Sequence, residues 1–223
     1  MRLVAGPAPR HTPQVKPTAA ELRALARRDP VLGRAMGRLP TFPGFPEGSP
    51  HASRTYFHSL SRSIIFQMLT GRAAETIYRR VRALTPESGF PKPAQVARFR
   101  EQKLRGCGLS GGKVRALKDL ARKVDGGALR LSGFHRKEDA EIIAAVTQVH
   151  GIGVWTVQMF LLFRLGRLDV MPLNDLGVQE GIRRLDGLAD RPSPAQVRER
   201  CATWSPLSSV ASWQMWNLAG EDD

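Results

Sequence analysis

Cysteine is scarce in this 223-residue chain, with Cys107 and Cys201 its only two. That excludes a disulfide scaffold, a four-cysteine zinc site and a four-cysteine iron–sulfur cluster. Long apolar runs are also lacking: nothing approaches the ~20 residues needed to span a bilayer. Residues 1–13 hold no sustained apolar core of the signal-peptide kind, so a soluble cytoplasmic protein is expected. Aromatic side chains make only 7% of the chain, and acidic ones are outnumbered, 20 against 34 Lys and Arg. The rest is ordinary for a folded protein. Apolar residues at 42% and charged residues at 24% exclude global disorder, and the length admits one large domain or two small helical lobes.

The shortage of acid leaves a net charge of +14 and a pI near 11.1. Such a surface attracts polyanions, nucleic acid first and an anionic membrane second. Because 27 of the 34 basic residues are Arg, a GC-rich coding bias is the bland explanation. The distribution argues otherwise. Between Arg72 and Arg136, eleven Arg and five Lys meet only Glu75, Glu87, Glu101, Asp119 and Asp125, a net of +11, while the rest of the chain supplies +3. Drift would spread the charge more evenly, so this segment reads as phosphate-facing.

Along the chain, residues 1–16 read as a flexible tail rich in Pro and Ala. Thr18 and Glu21 form a capping box that starts a helix ending before Pro30, and a second short helix runs from Pro30 to about Leu39. The stretch from Pro40 to Pro50 can be neither helix nor central strand and marks a boundary or surface loop. From Ser53 onward, Tyr56, Phe57, Leu60, Ile64, Met68 and Leu69 recur at helical steps and predict one buried face. After a break at Thr70 and Gly71, the next helix carries Ala74, Ile77, Val81 and Leu84. Pro93 opens a short helix through Phe99. Ser110 caps another, with Val114, Leu117, Leu120 and Val124 on its buried side, and Gly126 and Gly127 end it. Alternating strands with a hairpin turn are nowhere convincing, so the chain is predicted all-α.

Lys137 to Gln148 reads as a helix with Ile142, Ile143 and Val146 apolar, and a very apolar helix runs from Val154 to about Leu165. Between them, Val149 to Gly153 follows the order hydrophobic-x-Gly-hydrophobic-Gly, the turn of a helix-hairpin-helix spanning 137–165. Without Cβ atoms at Gly151 and Gly153 the chain can turn sharply and bring its amides close to a phosphate. The second helix points its first amides, from Val154 to Thr156, and its positive dipole end at the same group. Such a hairpin grips a nucleic-acid backbone without reading sequence. A tight turn that binds nothing is the plainer alternative, and the basic setting favours binding.

Val149–Thr156, followed by Leu168–Asp175, resembles the signature of the helix-hairpin-helix DNA glycosylase superfamily. Within it the likeness is to the bacterial 3-methyladenine DNA glycosylase II, or alkylbase glycosylase, type, over roughly residues 20–220. Ser63–Thr70 resembles that family's Gln-containing turn, and Leu104–Lys113 its Gly-Leu-Ser-x-x-Lys segment. Members of this branch often carry a β-rich N-terminal domain, for which this chain leaves no room. The implied architecture is all-α, with two helical subdomains flanking a cleft, 17–60 with 170–223 and 61–169. The implied activity is hydrolysis of the N-glycosidic bond of alkylated bases such as 3-methyladenine and 7-methylguanine in duplex DNA, by base flipping. A non-catalytic protein that binds damaged DNA through the same hairpin is the alternative.

The resemblance assigns catalysis to Asp175. Cleaving this bond develops positive charge on the deoxyribose, which a buried carboxylate stabilises while orienting a water. An N3- or N7-alkylated purine already carries positive charge and leaves without a strong general acid, so one carboxylate can suffice. Plain N-capping through the amides of Leu176, Gly177 and Val178 is the other reading of Asp175, and the two roles can coexist. Asp169 is the competing carboxylate and reads as structural. Trp155 stands where strand-cutting members place a Schiff-base lysine, and it cannot form an imine, which implies a monofunctional enzyme rather than a glycosylase/lyase.

A flipped base needs aromatic or apolar walls. Trp216 corresponds to a tryptophan lining the family's base pocket, with Trp155 close by, although core packing is the default for Trp204, Trp213 and Trp216, and Trp213 reads as core. Met159 stands where relatives often have a tyrosine, which removes a stacking face. Met68, beside Gln67, matches the position of the family's DNA wedge, where an unbranched side chain suits insertion. The resemblance also implies Na+ or K+ on the carbonyls of Thr147, Val149 and Ile152, and no organic cofactor. Duplex DNA is the implied partner of a monomer that binds no membrane and associates with the nucleoid. His51, His58, His135 and His150 show no metal spacing, and the two cysteines read as isolated thiols.

Overall fold

A computed structural model describes residues 16–45, 55–69 and 71–220. These contain twelve α-helices and no β-strand: α1 (Ala19–Arg28), α2 (Pro30–Met36), α3 (Tyr56–Phe66), α4 (Gly71–Arg82), α5 (Pro93–Arg98), α6 (Glu101–Gly106), α7 (Gly111–Asp125), α8 (Asp139–Val146), α9 (Val154–Phe163), α10 (Leu176–Asp186), α11 (Pro194–Arg200) and α12 (Ser208–Ala219). The tail over 1–15, the second half of the Pro40–Pro50 stretch, His51, Ser53 and Thr70 lie outside the described residues.

Local chemistry sets the helix ends. Thr18 and Glu21 close the expected capping box on α1, and Ser110 caps α7 through the amide of Lys113. Asp169 accepts from the Ser208 amide at 3.2 Å, from the Ser208 hydroxyl and from Ser205 Oγ, so it holds the start of α12, the structural role expected of it. The α8–α9 helices are shorter than anticipated, since the chain already turns at Thr147 and Arg164. α6 was not anticipated; one apolar residue, Leu104, is fully buried in its six, too few to show a period.

The helices pack in two groups. α3 lies against α4, α7 and α9; α5 and α6 pack on α7, and α8 on α9. The other group joins α1 and α2 to α10, α11 and α12, with α10 against α12 as its principal contact. A boundary between residues 60 and 61 would cut α3 in mid-helix; its contacts assign all of Tyr56–Phe66 to the first group. One continuous apolar core, from Leu25 to Leu218, runs through both groups.

Buried polar groups fasten the second group. Asp29 caps α2 through Val31 N and Leu32 N and also accepts from Arg200 Nη1 at 2.6 Å and from Trp204 Nε1 at 2.7 Å. Arg200 reaches Asp186 at 2.6 Å as well. Burial alone would raise the Asp29 carboxyl, but these donors outweigh it and hold it below its ordinary range. Trp204 is therefore core, completely buried. Both cysteines are buried and free, and burial pushes the Cys201 thiol up to about 12, so neither is a reactive thiol.

Candidate nucleic-acid interface and base pocket

Asp175 is the N-cap of α10 and only 8% exposed. Its Oδ1 accepts from Val178 N and from Trp216 Nε1, each at 2.8 Å, and its Oδ2 accepts from Trp155 Nε1 at 2.7 Å. The capping role is thus real, and it occupies only part of the carboxylate. Two indoles, one from the first turn of α9 and one from α12, converge on the same acid and fix its plane.

These three residues border a cavity of about 230 Å³ completed by Ser63, Phe66, Met159 and Phe163. Its walls are aromatic: Phe163 stacks on Trp216 with ring centres 5.4 Å apart and planes 24° from parallel. Met159 is buried in the wall. Ser63 supplies a hydroxyl, which donates to Ser59 O at 3.2 Å. A wider groove of about 860 Å³ shares Phe66, Trp155 and Asp175 with the pocket and is bordered by Gln67, Met68, Leu69, Gly151, Asn174 and Leu176. A narrow aromatic pocket therefore opens, past a carboxylate, onto a broad trough.

Two glycines permit this geometry. A Cβ on Gly177 would lie 2.7 Å from Trp216 Cδ1, so only glycine lets that indole close on Asp175. A Cβ on Gly181 would lie 2.2 Å from the Met215 carbonyl oxygen, so glycine also sets the close crossing of α10 and α12. A glycine inside a helix was the available signal. Phe66 and Phe163 carried none, because the helix crossings decide that they face the pocket.

The trough is lined by exposed apolar residues. Helix α3 ends at Phe66 rather than continuing through Met68 and Leu69, so these two do not join its buried face. The chain turns at Gln67, and Met68 takes φ +52 and is completely exposed. A non-glycine residue with positive φ is held against a steric cost of roughly 1–2 kcal/mol. Gln67, expected with Met68 as part of the wedge, instead turns its carboxamide inward, where Nε2 donates to Gly151 O at 3.2 Å and to Thr156 Oγ1 at 3.0 Å.

In the hairpin, Gly151 has φ +75, and a Cβ there would meet Ala116 of α7 at 3.1 Å. Gly153 has ordinary φ and open space where a Cβ would go, so neither backbone shape nor packing calls for glycine there. Among the described residues the amides of Gly151, Gly153, Val154 and Trp155 donate no hydrogen bond. Thr156 differs from expectation. Its amide donates to Gly153 O at 3.1 Å, and its side chain is buried with the hydroxyl bonded to Gln67, so it faces inward. The hairpin is anchored on the basic segment through α7, where Asp119 Oδ2 accepts from His150 N at 2.8 Å and from Lys123 Nζ at 2.6 Å. Burial would raise Asp119, but Lys123 and the His150 amide prevail and hold it below the usual carboxylate range.

No cluster of three or more His, Cys, Asp or Glu able to hold a metal occurs among the described residues. His58 is half-buried and bonded to Tyr78 Oη at 2.5 Å. No helix among them is long and apolar enough to cross a membrane.

The chain is similar to known proteins over most of its length. Residues 61–206 match the HhH-GPD superfamily of base excision DNA repair proteins. DNA-3-methyladenine glycosylase 1 of Schizosaccharomyces pombe is 32% identical over 164 residues, 73% of this chain and 72% of that one. The 3-methyladenine DNA glycosylase of the same yeast, solved in complex with abasic DNA, superposes with a TM-score of 0.76 at 28% identity, covering 89% of this chain and 95% of that one. The crystal structure of a DNA-3-methyladenine glycosidase from Bacillus halodurans gives a TM-score of 0.74 at 30% identity, covering 92% and 91%.

Proposed function

We propose that this chain, which belongs to the HhH-GPD superfamily of base excision DNA repair proteins, is a glycosylase that hydrolyses the N-glycosidic bond of alkylated bases in duplex DNA. The observation that carries this reading is the carboxylate of Asp175, set at the mouth of a narrow aromatic pocket and held by two indoles that also form its wall. An alkylated purine extruded from the stack would lie against Trp155, Phe163 and Trp216, with its sugar near Asp175. Positive charge developing on the sugar would then meet a preorganised negative charge at little reorganisation cost. Three donors already occupy the carboxylate, which leaves one acceptor position on Oδ2 for the attacking water.

The idle amides of Gly151, Gly153, Val154 and Trp155 support a phosphate grip at the hairpin. Met68 is suited to fill the gap left by the extruded base, because it is unbranched, apolar and fully exposed. The carbonyls of Thr147 and Ile152 accept no hydrogen bond among the described residues, while that of Val149 takes Ile152 N. Such neutral oxygens fit Na+ or K+ better than a divalent ion, and a bound cation would add positive charge to the phosphate-facing turn.

Trp155 offers no amine, so we assign a monofunctional reaction of the 3-methyladenine glycosylase II type that leaves the abasic site uncut. On methylated duplex DNA the purified protein should release free base, and borohydride should trap no covalent complex. Asp175→Asn should lower release by two orders of magnitude or more while leaving affinity for an abasic-site duplex within a few-fold. Binding without any base release by the unaltered protein would leave only the reading of a damaged-DNA-binding module.

A further inference from the structure

The wedge and the phosphate grip come from distant parts of the sequence, and one side chain joins them. Met68 sits on a strained turn beyond the end of α3, with its side chain wholly in solvent. Its neighbour Gln67 sends both of its carboxamide hydrogen bonds into the hairpin, to the carbonyl of Gly151 and to the hydroxyl of Thr156. Gly151 lies in the same turn as the unpartnered amides. Thr156 follows Trp155, whose indole holds Asp175.

We infer that Gln67 is a positioning residue that makes the Met68 turn and the phosphate-binding hairpin one mechanical unit. Extruding a paired base costs a few kcal/mol of lost stacking and pairing. That cost must be met from binding energy gained elsewhere on the DNA. If the wedge turn moved independently of the hairpin, phosphate contacts would add affinity without driving extrusion. Tied through Gln67, the hairpin cannot seat on the backbone without presenting Met68 to the stack. The inference rests on the glycosylase reading, and it assigns to Gln67 work on the duplex rather than on the bond that breaks.

The test compares Gln67→Met, which keeps length and loses the donors, with Thr156→Val, which removes one acceptor at constant shape. Single-turnover base release is measured on a methylated base in duplex DNA and on the same base in single-stranded DNA. Gln67→Met should slow release from the duplex roughly tenfold or more and change release from the single strand by less than about threefold, as expected for losing hydrogen bonds that serve only extrusion. Thr156→Val should show a weaker form of the same split, and the double variant should be no worse than Gln67→Met alone. An equal loss on both substrates, or none on either, overturns the inference. A second readout avoids chemistry altogether: 2-aminopurine beside an abasic-site analogue should brighten less with Gln67→Met than with the unaltered protein, at equal saturation. Equal brightening overturns the coupling even if the protein releases no base, which is the outcome that would instead sink the glycosylase reading.

Discussion

Stacked on Phe90 with ring centres 4.2 Å apart and bonded to Tyr78, the His58 imidazole is pushed down to about 4, first by burial and then by Arg82 and Arg62. In the unfolded chain it titrates near 6.5. Between those values the unfolded state binds the extra proton, so folding stability falls as pH drops from about 6.5 to about 4. His58→Phe should flatten that part of the stability–pH curve in denaturant titrations, whatever it does to absolute stability. Below that window Asp29, held low in the fold, adds a loss of the same sign. At this scale the sequence showed what chemistry dictates and hid what packing dictates. Asp175 and Trp216 were marked by the resemblance to a family rather than by spacing alone, which left capping open for the one and core packing for the other; the chemistry of a cationic sugar and a stacked base makes sense of them. Ser63, Phe163 and Gly177 could not be found that way, because their roles exist only where α3, α9, α10 and α12 meet.

The helices themselves were largely legible, since Thr18, Pro30, Pro93 and Ser110 mark their starts by known capping and first-turn chemistry. The failures lie where tertiary contacts override periodicity. Met68 and Leu69 continue the apolar repeat of α3, yet the chain leaves the helix at Gln67, whose side chain finds partners in a hairpin some 84 positions away in sequence. Helix α10 lends itself to a graded test. Gly181→Ala drives a Cβ into the backbone of Met215 and should lower stability by about 3 kcal/mol or more. Gly177→Ala meets the movable Trp216 ring instead, so it should cost less stability and more base release. Thermal melts beside release rates would separate the two, and a larger melting loss for Gly177→Ala would contradict this assignment.

For the whole molecule, the net charge of +14 overstates the positive charge free to meet DNA. Within the basic segment Lys113 donates to Ile65 O, Lys118 to Phe99 O and Lys123 to Asp119, so these three ammonium groups brace helices and the hairpin. Duplex affinity should still fall steeply with salt, but log K against log salt should have a slope well below that of eleven neutralised phosphates. A salt-independent affinity would contradict a phosphate-facing role for the basic segment. The pair of indoles on Asp175 has an optical consequence as well. Four tryptophans make up the chain's indole emission, and two of them, Trp155 and Trp216, end on one carboxylate at the pocket mouth. Whatever enters that pocket or alters that acid changes the surroundings of half the fluorophores at once. Unlabelled protein should therefore report occupancy by its own light, with an emission change on adding abasic-site duplex that Asp175→Asn already shows in part without DNA.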